Sequence, residues 1–201
     1  MDRKLAYRAF FENDWGAAET VLERDGIEFS FAVRGVIFES GTDFDFQPRD
    51  GTDVRLLDKF ILNGLSLAAF TLEFVVPVRI SSPTARPEAE IAARFECGPP
   101  AGPWRVASEK IFLKLDYDGH SLVAEGLGFF EALTALEKLM PAADRLRICF
   151  FCGNASGWEA HLIENFHCGF VPDNWTIATD SCPDFKPRNG KYFYESSKTN
   201  G

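Results

Sequence analysis

The chain has 201 residues, 46% hydrophobic and 25% charged, a composition able to bury the core of one large globular domain. Its formal net charge of −9 disfavours phosphate backbones and anionic membranes, whose binding depends on Lys and Arg, so nucleic-acid and membrane partners are not expected. An acidic surface suits a basic protein partner, and equally no partner at all, because net charge mainly sets solubility.

The N-terminal stretch "MDRKLAYRAFFENDWG" lacks the apolar run of a signal peptide. The expectation is a cytoplasmic protein whose thiols stay reduced. Within that stretch Glu12, Asp14 and Trp15 read as part of an anchor packed on a sheet. The 20 phenylalanines favour a β-rich interior, because aromatic rings fit pleated, half-buried surfaces.

In "IEFSFAVRG", Ile27, Phe29, Phe31 and Val33 alternate with polar or small residues, the period of a half-buried strand. Asp25-Gly26 before it predicts a hairpin turn whose other arm is "AETVLER". The acidic stretch "GTDFDFQPRDGTD" holds Asp43, Asp45, Asp50 and Asp53 but lacks the closing Glu of a calcium loop, and reads as solvated. Asn63-Gly64 predicts a second hairpin between "KFIL" and "LSLAAFTLEFVVPVRI". In that long segment Phe70, Leu72, Phe74, Val76, Val78 and Ile80 form one apolar face, while Glu73, Pro77 and Arg79 rule out a membrane helix.

"SSPTARPEAE" and "CGPPAGPWR" read as Pro-rich loops, and Cys97 as an ordinary buried thiol. In "KIFLKLDY", Ile111, Leu113, Leu115 and Tyr117 form an inward face, and Asp118-Gly119 turns the strand back beside His120. "GFFEALTALEKLMP" has Phe129, Leu133, Leu136 and Met140 at helical spacing, bounded by Gly128 and Pro141, and predicts a helix over 128–140. Strands joined by hairpins predict an α+β, mainly β fold: an antiparallel sheet or sandwich with one packed helix.

Four of the five cysteines fall in the last quarter: Cys149, Cys152, Cys168 and Cys182. A C-x2-C pair lets two thiolates converge on one ion, and a closed structural zinc site needs four N or S donors. These four cysteines are the candidate zinc ligands, with His161 and His167 as alternative donors. Residues 148–185 contain acids but no Lys or Arg. Such surroundings disfavour a reactive thiolate and phosphate binding, hence a redox C-x-x-C and a nucleic-acid-binding ribbon.

From "GFFEALTALEKLMP" through "RLRICFFC" to "FHCGF" and "SCPDFKPR", the chain resembles an uncharacterised bacterial family. Its members join a β-rich region, a helix ending in Leu/Met-Pro and a four-cysteine segment closing in Cys-Pro-x-Phe. The resemblance implies that Cys149, Cys152, Cys168 and Cys182 act together, and it implies no activity.

No P-loop, G-x-G-x-x-G, H-E-x-x-H or G-x-S-x-G motif is present. The expected organisation is a β-rich domain over 1–147, a four-cysteine zinc extension over 148–188 packed on it, and a flexible tail over 189–201. The expected function is that of a non-enzymatic, zinc-stabilised binding protein, in its concrete form an acidic, immunity-type inhibitor of a basic bacterial protein. The alternatives are an enzyme with a pocket assembled from scattered residues and a C-x-x-C thiol redox protein.

Overall fold

A computed structural model describes residues 4–25, 28–40, 44–83, 88–148, 155–157, 165–168 and 175–177. The first strands are β1 (Lys4–Asn13), β2 (Gly16–Asp25), β3 (Glu28–Val33), β4 (Val36–Ser40) and β5 (Gln47–Pro48). A 3-10 turn, Val54–Lys59, precedes β6 (Ile61–Asn63), β7 (Ser66–Ala68), β8 (Phe70–Ser81) and β9 (Glu88–Cys97). Then come β10 (Pro100–Gly102), β11 (Arg105–Val106), β12 (Glu109–Tyr117), β13 (His120–Gly126), α1 (Phe129–Leu139) and β14 (Arg145–Leu146). Three short strands follow: β15 (Ala155–Gly157), β16 (Asn165–Cys168) and β17 (Trp175–Ile177).

The architecture is mainly β. The main sheet runs β13-β12-β9-β8-β1-β2-β3-β4-β5, with β14 also paired to β8. The residues group into two compact units, one of 2–75 with 93–111, the other of Met1, 76–92 and 112–201.

The first unit is built on hairpins and phenylalanine. β2 and β3 pair as the predicted arms of a hairpin, but Asp25 stands opposite Glu28 and ends β2, so the connection is 26–27 rather than Asp25-Gly26 and lies outside the described residues. The N-terminal segment is a full strand rather than an anchor, because β1 pairs with β2 along its whole length and with β8 from Ala9 to Asn13. Phe11, Phe31, Phe38 and Phe46 are fully buried. Phe11 meets Phe31 and Phe70 at centroid distances of 5.6 and 5.8 Å, and Phe46 meets Phe31 edge-on at 4.8 Å. Such offset and edge-to-face pairs add about 0.5–1.5 kcal/mol each beyond area burial. The acidic stretch read as solvated therefore turns part of itself inward. Phe46 joins the core, and Phe44 stacks on Phe95 at 5.1 Å.

The segment read as one long strand after Asn63-Gly64 is broken at Ala69, which has φ +53° and donates its N–H to the Gly98 carbonyl at 3.0 Å. Before it, β7 folds back on β6; after it, β8 carries the predicted apolar face. Phe70, Leu72, Phe74, Val76, Val78 and Ile80 are all buried. Pro77, which has no N–H to give a ladder, lies between the β1 register ending at Phe74 and the β14 register starting at Ile80.

In the second unit, Val76, Val78, Ile80, Leu113, Leu115 and Tyr117 line the sheet face, and Ala132, Leu133, Leu136 and Met140 are the buried stripe of α1. The helix starts after Gly128, which has extended backbone and offers no side-chain cap. Glu131 replaces half of that cap, its Oε2 accepting the Leu127 N–H at 3.0 Å. Pro141 follows the C-cap Met140 and halts the helix. Tyr117 donates its hydroxyl to Asp144 Oδ2 at 3.0 Å, both residues being buried. That bond secures the turn that closes on Asp144 after the helix, where its N–H reaches the Pro141 carbonyl. Among the described residues, no helix is long and apolar enough to cross a membrane.

Candidate functional site

At one end of the first unit the strand ends β1, β8, β9 and β12 come together. Asn13 pairs with Phe70, the Ala69 N–H reaches Gly98, and the Gly98 N–H reaches the Ser108 carbonyl at 2.7 Å. The loops leaving that end carry most of the exposed large apolar side chains of the unit.

Two groups of hydrogen bonds hold these loops. The Asn13 amide donates to the Lys59 carbonyl at 3.0 Å, and its Oδ1 accepts from the Trp15 N–H at 3.1 Å and from Arg34 at 2.8 Å. Arg34 sits at φ +50° in the turn Arg34-Gly35 between β3 and β4, and also donates to the Gly16 carbonyl at 2.7 Å. Its guanidinium lies over the rings of Phe11 and Phe60, 5.8 and 5.9 Å from their centroids. A planar fork with several donors serves such a junction, and its stacking on aromatic faces adds attraction. Leu56 packs against Gly35.

Next to this, the Asn63 amide donates to the Arg105 carbonyl at 2.8 Å, tying the β6–β7 turn to the β10–β11 hairpin. Trp104, at φ +60°, lays its indole over Gly64, where a Cβ would overlap the ring. Trp104 is nevertheless 74% exposed, Leu65 61% and Trp15 47%, with Val54 and Leu56 also exposed. Large apolar groups on loops locked by hydrogen bonds present a pre-organised contact surface. Asp53 is held below the usual carboxylate range by its hydrogen bonds from Arg55, a solvent-exposed pair of little consequence for stability.

Three described groups able to do chemistry, Cys97, His120 and Ser121, stand apart from one another in role. Cys97 is buried at the end of β9, and burial, with the Glu109 carboxylate adding to it, pushes its thiol up to about 12. A thiol so shifted stays protonated and is not a nucleophile. His120 begins β13 beside the Tyr117 ring. Ser121 donates directly to Asp116 at 2.6 Å, and Lys114 also binds that carboxylate at 2.8 Å. In a catalytic triad the imidazole stands between hydroxyl and carboxylate, which is not this arrangement. Among the described residues, no group of three or more His, Cys, Asp or Glu side chains is placed to hold a metal ion.

Of the cysteines singled out from sequence, Cys149, Cys152 and Cys182 lie outside the described residues, as does His161. Cys168 ends β16, paired with Ala155, and His167 pairs with Ser156 on one side and Trp175 on the other. The three strands form an antiparallel meander, β15-β16-β17.

Sequence reasoning passed over Arg34 and Trp104 as site residues and read Gly64 as a turn residue alone. A tryptophan inside "CGPPAGPWR" was the available signal, since a large aromatic in a Pro/Gly-rich loop has no strand face to bury against.

A protein-family model described as a family of unknown function, DUF6304, matches residues 5–155. That stretch takes in the β-rich part, α1, Cys149 and Cys152, and stops before Cys168 and Cys182. No curated protein and no solved structure matches the chain.

Proposed function

We propose that this chain, which belongs to the DUF6304 family of unknown function, is a non-enzymatic binding protein that meets a basic protein partner through the Trp15 and Trp104 loops. The observation that carries this is the pair of exposed tryptophans on loops fixed by Asn13, Arg34 and Asn63. Tryptophan is prominent among the few residues that dominate interface energies, and a locked loop loses little entropy on binding. The net charge of −9 favours encounter with a basic partner. An immunity-type inhibitor of a basic bacterial protein is the concrete form of this role. Wild-type chain and the double variant Trp15→Ala/Trp104→Ala, both immobilised, test it. A basic protein retained by the wild type, weakened by raised salt and lost from the variant is the expected outcome. Equal retention by both forms sinks the proposal.

We further infer that Cys149, Cys152, Cys168 and Cys182 hold one structural zinc. The register of β15 and β16 supports this: Cys168 stands opposite Ala155, three residues beyond Cys152. Paired Cα atoms are about 4.5–5.5 Å apart and three residues span at most about 11 Å, a chain length that allows position 168 to approach the C-x2-C pair. β17 ends at Ile177 opposite Asn165, leaving five residues for the return to Cys182, at most about 17 Å. Zinc bound in this way contributes about 10 kcal/mol or more of folding free energy to a segment of short strands. Protein purified without chelator or added metal is expected to carry one zinc per chain, with the four thiols protected until a strong chelator is added. Metal-free protein with freely reactive thiols overturns the site. Full zinc retention in Cys182→Ser hands the fourth position to a histidine.

A further inference from the structure

We infer that β13 is a pairing edge through which two copies of this chain associate, antiparallel, about a two-fold axis at Val123. Among the described residues, the main sheet ends in β13 on one side and β5 on the other. β5 is two residues long and closes in Pro48, the usual means of blunting an edge. β13 is seven residues long, has no proline, no Lys and no Arg, and carries Glu125 as its one carboxylic side chain. A strand of that kind at the end of a sheet presents a row of N–H and C=O groups ready to pair.

The side chains fit the same role. Ala124 is buried, and Gly126 approaches the first turn of α1 so closely that a Cβ would meet the Ala132 nitrogen, so the helix takes that face. Val123, on the opposite face, is 57% exposed, and Leu127, just beyond the strand, is 74% exposed. An antiparallel self-pairing centred on Val123 sets Val123 against its copy, Leu122 against Ala124, and Ser121 against Glu125. No like charges stand directly opposite each other in this register, and an apolar pair occupies the axis. This isologous complementarity favours a second copy over an unrelated strand.

Seven paired residues bury less than the roughly 1,200 Å² of a stable interface, so the dimer is weak and mass must be followed over about 5–200 µM. Sedimentation or light scattering of the full chain is expected to rise from one-chain to two-chain mass across that range. Val123→Lys, at an exposed position, is expected to stay folded by circular dichroism and remain at one-chain mass. Mixing Val123→Lys with Val123→Glu should restore the two-chain mass, since Lys then faces Glu across the axis. One-chain wild type at every concentration, as when the edge is covered by residues 189–201 of the same chain, overturns the inference. So does an undiminished dimer in Val123→Lys, or a mixture that stays at one-chain mass.

Discussion

At the residue scale, the candidate surface depends on single positions with no tolerance for a Cβ. Gly64 has φ +68°, and the Trp104 indole occupies the space beside it. Gly119 has φ +78° with nothing within 4 Å of its missing Cβ. The two turns separate backbone strain from ring contact. Gly119→Ala should cost the left-handed strain alone, about 1–2 kcal/mol. Gly64→Ala should cost more, because the indole must also leave, and the excess should vanish in a Trp104→Ala background. Urea unfolding midpoints of the four proteins measure this. Equal losses at Gly64 and Gly119 would mean that the ring is not held there. Asn-Gly and Asp-Gly announced both turns in the sequence, whereas the ring over Gly64 comes from a loop 40 residues away.

At the element scale, α1 is well specified along its length and under-specified at its start. Its buried stripe follows the predicted spacing, and its limits, Phe129–Leu139, fall within a residue of those read from Gly128 and Pro141. The N-cap glycine supplies no acceptor for the first-turn N–H groups, while Glu131 already reaches back to Leu127. Gly128 has extended backbone and open space around its missing Cβ. Gly128→Ser is thus expected to complete a capping box and stabilise the protein by a few tenths of a kcal/mol. A thermal midpoint raised in Gly128→Ser and unchanged in Gly128→Ala supports this; a lowered midpoint in Gly128→Ser refutes it. Strand β8 is the opposite case. Its alternation was legible, but its beginning was not, because Ala69 leaves the strand region through a hydrogen bond to Gly98, a residue distant in sequence.

At the scale of the whole molecule, each unit holds a buried weak acid whose proton the fold retains, Cys97 in one and Tyr117 in the other. Burial pushes the Cys97 thiol up to about 12. Burial, reinforced by the hydrogen bond to Asp144 and that carboxylate's charge, pushes the Tyr117 phenol up to about 12. Both values are raised in the folded state, so the unfolded chain releases these protons first as pH rises. Their contribution is fully present below the ordinary thiol and phenol values, and it is lost as pH rises towards 12. Denaturant midpoints should therefore hold steady from neutrality to about pH 9 and fall beyond it. The fall should be shallower in Cys97→Ala and in Tyr117→Phe, each measured against its own neutral value. An identical alkaline slope in both variants would place the pH dependence elsewhere.

By itself the sequence determined the mainly β class, the hairpin turns, the apolar faces of β8 and β12, and the helix. All of these are set by residues two to four positions apart, where strand and helix periods act. It also marked the four clustered cysteines, since a spacing pattern is a property of the chain alone. Only tertiary structure decided that Phe46 leaves an acidic stretch for the core while Phe44 stacks on Phe95, that Arg34 joins two turns and the Lys59 carbonyl through Asn13, and that Trp104 is held on Gly64 yet faces solvent. Each depends on contacts between segments remote in sequence. No local period records such contacts, because their free energy appears only once the strands have brought the loops together.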